Sequence, residues 1–215
     1  MQFSDPAIAA VFEDYRARHR EEGERITRMA SDEMRAARDE FLLPVGEEAA
    51  WFLHALAIAR APKRILELGT SYGYSTLFLA AAARECGAMV TTIDLDAGKQ
   101  AHAAGQLRRA GLADYVEFRF GDAIAVVDAD PGPFDFVLLD IWKDLYVAGF
   151  EAVYPKLSEE GIIASDNMIA PEGVRENARA LREAIHAKPD MQTALLPIGQ
   201  GIELSVKWSR ANTKL

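Results

Sequence analysis

The sequence holds a single cysteine, Cys86, so no internal disulfide can form and a reducing compartment is expected. Long apolar runs are also missing. No stretch reaches the length needed to span a bilayer, and the opening MQFSDPAIAAVFEDYRARHR lacks the basic start and continuous apolar core of a secretory signal. The expectation is a soluble, cytoplasmic protein with no membrane partner. Basic charge is in deficit: 24 Lys and Arg stand against 33 Asp and Glu, a net charge of -9. Such a surface is poorly suited to tracking a phosphate backbone, so no nucleic-acid partner is expected, although a local basic pocket for a small anion stays compatible. Histidine is scarce as well. His19, His54, His102 and His186 all fall in helical patterns without HExxH spacing, which argues against zinc chemistry.

What is present is apolar residues, 50% of the chain, enough for one sizeable core. A single domain is predicted over 1–215, with residues 1–60 as a helical cap within it. From Pro6 the pattern is helical, with Ile8, Val11, Phe12 and Tyr15 on one side. Leu43-Pro44-Val45-Gly46 interrupts it, and a second amphipathic helix follows, with Trp51, Leu53, Leu56 and Ile58 as its packing residues. From Lys63 onward short apolar runs alternate with helical segments: RILELG, AMVTTIDLD, YVEFRF, FDFVLLD and GIIAS read as strands. That alternation predicts an α/β fold, a doubly wound sheet of parallel strands joined by right-handed crossovers. The last two runs, MQTALLPIG and GIELSVKWS, lie too close together for a helical crossover and predict an antiparallel hairpin. The whole is a mostly parallel seven-stranded sheet with one reversed strand near the C-terminus.

Chemistry-bearing residues gather at the predicted strand ends. In LELGTSYGYSTLFLA, Gly69 and Gly73 give a tight, approachable turn before a helix, with Glu67 just ahead of it. The spacing is not GxGxxG, since Ser71 stands at the second glycine position, and a ligand without pyrophosphate fits better. Asp94 closes the next strand, where an acid can accept both ribose hydroxyls, or else cap the following helix as Asp96 also could. Asp122 in FGDA suits an adenine amino group or a helix cap, and Trp142 suits an adenine face or ordinary packing. Asp140 ends the fourth strand and Asp166-Asn167 the fifth. If those strands are neighbours, three oxygen ligands for a hard divalent ion such as Mg²⁺ converge, with capping and turn formation as the plainer roles. Such an ion leaves room for the two oxygens of a vicinal diol. Lys143 then either removes a phenolic proton or orients the oxygen.

LELGTSYGYSTLFLA, TTIDLD, LLDIWKDLY and ASDNMIAPEGV together resemble the cation-dependent class I S-adenosylmethionine O-methyltransferases, the group containing catechol and caffeoyl-coenzyme A O-methyltransferases. The resemblance runs from about Val45 to Trp208, and its paired DxxK and DN segments are more specific than the glycine turn. It implies S-adenosylmethionine bound by Glu67, Gly69, Gly73, Tyr74, Ser75, Asp94, Asp122 and Trp142, a cation held by Asp140, Asp166 and Asn167, and Lys143 as base. It implies a small aromatic diol as acceptor, with Phe41, Leu42, Met168 and Ile169 as contacts, and makes a homodimer plausible. Two positions depart from it: Ile141 stands where the catechol enzymes have histidine, and Gln200 where the coenzyme A ester group commonly has an acid. A nicotinamide oxidoreductase and a noncatalytic nucleoside-binding protein are the alternatives; the first leaves Asp140, Lys143 and Asp166-Asn167 unexplained.

Overall fold

The computed structural model describes residues 1–208, so the end of the predicted domain, 209–215, lies outside the described residues. Three helices open the chain: α1 (Pro6–Arg28), α2 (Ser31–Ala36) and α3 (Glu47–Arg60). Asp5 caps α1, its carboxylate accepting from Ala7 N at 2.9 Å, and Pro6 fills the first turn, where an amide hydrogen would have no partner. Seven strands follow: β1 (Arg64–Leu68), β2 (Met89–Asp94), β3 (Val116–Phe120), β4 (Phe134–Leu139), β5 (Leu157–Ser165), β6 (Met191–Leu196) and β7 (Ile202–Lys207). Between them run α4 (Tyr74–Cys86), α5 (Ala97–Arg109), α6 (Ala123–Ala129), α7 (Tyr146–Val153) and α8 (Arg175–His186).

The strand order is β3-β2-β1-β4-β5-β7-β6. β1 to β5 pair in parallel, and β7 runs antiparallel to both β5 and β6, as the short final connection requires. The order reverses at β1 and β4, which opens a crevice beyond their carboxyl ends. Register sets what meets there. Leu68 pairs with Leu139 and Leu139 with Ser165, so Gly69, Asp140 and Asp166 leave the sheet at one level.

Helices cover both faces. On one side Ile8, Val11, Phe12 and Tyr15 of α1 pack with α3, α4 and Leu107 of α5, none of the four α1 side chains more than 1% exposed. α4 is apolar nearly all round because it is wedged between the sheet and α3, and its alanines allow the close approach. On the other side Val127, Phe150 and Leu181 bring α6, α7 and α8 onto the sheet. One packing expectation fails: Ile58 is 41% exposed. The buried stripe of α3 runs through Ala50, Leu53 and Ala57, and the next residue along a helix is turned well away from it. Among the described residues no helix is long and apolar enough to cross a membrane.

Candidate active site

The β1–α4 turn is built around close backbone approach. Gly69 has φ +101°, and a Cβ there would stand 2.1 Å from the Asp140 carbonyl oxygen, so a side chain would force β1 and β4 apart at the crevice. The Gly69 and Thr70 amides donate to Ile93 O at 2.9 and 3.1 Å, and Gly73 N closes the turn onto Thr70 O at 2.9 Å. Asp94 braces the turn from β2. Its carboxylate accepts from Ser71 N at 2.7 Å and Asp96 N at 2.9 Å, while the cap of α5 is Asp96, which accepts from Lys99 N at 2.9 Å. Asp122 does cap α6, accepting from Ala125 N at 2.9 Å, and its exposed side chain also forms part of the cavity wall.

Beneath the turn Glu67 is 0% exposed and accepts three hydroxyl bonds at 2.6 Å, from Ser75, Thr76 and Thr92. Burial raises its carboxyl from 4.5 to about 7, and the three hydroxyls oppose the rise without cancelling it. Because Thr92 gives its proton to Glu67, the 2.6 Å contact between Thr70 and Thr92 has Thr70 as donor. Glu67 thus supports the cavity floor from behind and does not line it.

At the β4 and β5 ends Lys143 Nζ donates to Asp140 Oδ1 at 2.8 Å and to the Tyr146 hydroxyl at 2.5 Å. Tyr146 in turn donates to the Asp166 carbonyl at 2.9 Å. Burial, with Asp140 and Asp166 nearby, holds the Tyr146 phenol well above its ordinary range. Asp166 is 1% exposed and its Oδ1 has no hydrogen-bond partner. Burial and then the neighbouring Asp140 charge raise its carboxyl well above the usual carboxylate range. Asn167, at φ +56°, donates its Nδ2 to Gln200 Oε1 at 3.2 Å, which leaves the amide oxygen as an acceptor. Among the described residues no three His, Cys, Asp or Glu side chains group as a metal site. Asp140, Asp166 with its orphaned oxygen, and Asn167 nonetheless offer an all-oxygen donor set whose chemistry fits a hard divalent cation.

The turn and the β4 end open onto a cavity of about 670 Å³. Of the residues the sequence singled out, Gly69, Tyr74, Ser75 and Asp94 line its β1–β2 side, Asp122 its β3 side, and Asp140, Trp142, Lys143 and Asn167 its β4–β5 side. Glu67, Gly73 and Asp166 stand behind the wall. Phe41 and Leu42 line it too, but Met168 does not: it is 5% exposed and packs with the α7–α8 core, and Ile169 is also off the wall. Sequence reasoning missed Tyr146, whose position one helical turn from Lys143 was the available signal. It also missed Leu95, just past β2, and Phe120, the last residue of β3, 60% and 65% exposed; large apolar residues at the carboxyl ends of parallel strands were the available signal. Trp142 is 48% exposed, with the Arg38 guanidinium 5.1 Å from its ring centroid.

A family model described as O-methyltransferase matches residues 24–208. A catechol O-methyltransferase of Niastella koreensis is 38% identical over 123 residues, which is 55% of this chain and 55% of that one, so the match spans about half of that relative. Caffeoyl-CoA O-methyltransferase 1 of Eucalyptus globulus is 26% identical over 185 residues, 76% of this chain and 74% of that one. The structure of the O-methyltransferase TomG from Streptomyces achromogenes, in complex with SAM, superposes with a TM-score of 0.76 at 23% identity, covering 97% of this chain and 92% of that one. At that identity the likeness is one of fold.

Proposed function

The chain belongs to the O-methyltransferase family, and on that premise we propose that it methylates one hydroxyl of a vicinal diphenol from S-adenosylmethionine, with a divalent cation such as Mg²⁺ held by Asp140, Asp166 and Asn167. The reaction is methyl transfer to a hydroxyl of a small aromatic molecule, and the diol, the cation and the base specify it. One observation carries them: a fully buried carboxylate with an orphaned oxygen, beside a second carboxylate and a lysine at the cavity wall. Burial disfavours the ionised form of such an acid, and a divalent counter-charge would stabilise it.

The cation, when bound, would stabilise negative charge on an acceptor oxygen. The remaining work falls to the chain. Gly69, Ser75, Asp94 and Trp142 would hold the methyl donor, and Phe41 and Leu42 would shield the acceptor ring from water. Lys143 donates to Asp140 and Tyr146 as an ammonium. Held by Asp140 and Tyr146 at the cavity wall, Lys143 would orient the acceptor oxygen or, after passing its own proton to solvent, take the acceptor's proton. Transfer forms an O–C bond and breaks an S–C bond, leaving a neutral thioether, and depends on keeping donor and acceptor in line.

The test is a diphenol panel with mass detection, run with Mg²⁺ and with chelator. Mono-methylated product only in the presence of the cation is the expected result. Turnover in chelator would remove the cation from the reading, and donor binding without turnover on any diol would favour a noncatalytic nucleoside-binding protein.

A further inference from the structure

α1 presents Tyr15, Arg18 and Glu22 along one stripe, at helical spacings of three and four. Tyr15 donates its hydroxyl to the Tyr72 carbonyl at 2.6 Å. Arg18 lays its guanidinium 3.7 Å from the centroid of the Tyr72 ring. The edge of the same group points elsewhere: Nε donates to Glu22 Oε1 at 2.6 Å and Nη2 to the Glu40 carbonyl at 3.0 Å. Glu22 extends the link, since its Oε2 accepts the Leu42 amide at 2.8 Å. One ion pair, its side chains 26% and 14% exposed, therefore joins two walls of the cavity. Tyr72 belongs to the glycine turn between β1 and α4. Glu40 and Leu42 belong to the strap 38–45, whose Arg38, Phe41 and Leu42 line the cavity.

The strap buries Phe41, Leu42 and Val45 in the core, but its backbone has little regular structure. Its regular structure is a single 3-10 turn, Arg38–Glu40, and Leu43 is at φ +41°, a conformation costly for a side chain of that shape. Polar bonds from α1 fix its backbone where the core packing does not: Arg18 and Glu22 hold the Glu40 carbonyl and the Leu42 amide, and Arg25 pairs with the Glu40 carboxylate at 3.1 Å. We propose that Arg18 is a positioning residue that couples the two halves of the site, so that order imposed on the glycine turn by the methyl donor passes to the strap that receives the acceptor. The side chain suits the task. A planar guanidinium stacks through its face while its edge makes directed bonds, and a lysine ammonium cannot do both. Coupling of this kind is reciprocal, so an acceptor held by the strap strengthens donor binding in turn.

The inference rests on the donor lying against the glycine turn, and hydrogen exchange separates the two ideas. The full chain would be followed with and without S-adenosylhomocysteine, reading 69–75 and 38–45 separately. In the wild type the ligand is expected to slow exchange in both segments by at least about fivefold, the lower end of ordinary coupling. In Arg18→Ala the turn keeps its response and the strap loses it; Arg18→Lys behaves like Arg18→Ala. Glu22→Gln, which keeps an acceptor for Leu42 but removes the charge holding Arg18, gives the same selective loss and serves if Arg18→Ala does not fold. A strap protected equally in wild type and variants, or one indifferent to ligand in the wild type, overturns the coupling. A wild-type turn that does not respond overturns the donor assignment and this inference with it.

Discussion

Two carboxylic acids, one on β1 and one just past β5 with β4 between them, are both fully buried and are treated in opposite ways. Glu67, on β1, receives three hydroxyl bonds from groups on β2 and α4. Asp166, just past β5, has an oxygen with no partner and a second acid beside it. Both sites raise the acid's proton affinity, because burial opposes charge in each. The difference lies in what finishes the shell. At Glu67 the protein supplies every partner, which ties β1, β2 and α4 together under the glycine turn. At Asp166 it stops short, which leaves a buried acceptor open for the cation proposed above.

Three substitutions sharpen or break that contrast. Lys143→Ala is expected to have the largest effect, a loss of about 10²- to 10⁴-fold in kcat with S-adenosylhomocysteine affinity little changed; an unchanged kcat across the pH range would take the base role from this lysine. Asp166→Asn should weaken the response of activity to Mg²⁺ by at least about a hundredfold. The same variant should melt at a higher temperature than the wild type when both are metal-free, because an unpaired buried acid has gone. If its metal-free Tm falls instead, Asp166 is structurally satisfied and the contrast with Glu67 collapses.

The smallest effect is expected at Glu67. Its folded pKa of about 7 exceeds the ordinary 4.5, so the folded chain binds this proton more tightly than the unfolded chain does. Stability from this group is therefore full below pH 4.5 and lost as pH rises through about 7. Metal-free melting curves of wild type and Glu67→Gln should diverge over that window, the variant gaining on the wild type as pH rises. A difference curve that is flat with pH would mean that the hydroxyls already stabilise the carboxylate fully.

Most of the architecture was legible because it rests on local periodicity. Alternating strands and helices, a glycine turn and a short final connection each constrain topology without long-range information. Positions that need the three-dimensional neighbour were less legible. Met168 follows Asp166-Asn167 in sequence, yet its side chain leaves the crevice for the α7–α8 core. Tyr146 reads as helix packing until its hydroxyl is found between Lys143 and Asp166. Asp94 and Asp96 were interchangeable as caps until the folded turn gave each its own amide.

The order of residues by itself determined a doubly wound sheet with oxygen-bearing side chains, a lysine and a glycine turn at its carboxyl edge, because strand period and chain connectivity are properties of neighbours in sequence. Only the tertiary structure decided which of the buried acids is complete, and that α1 grips both cavity walls through Arg18. Those depend on atoms far apart in the chain coming within hydrogen-bond reach, and that distance is set by packing.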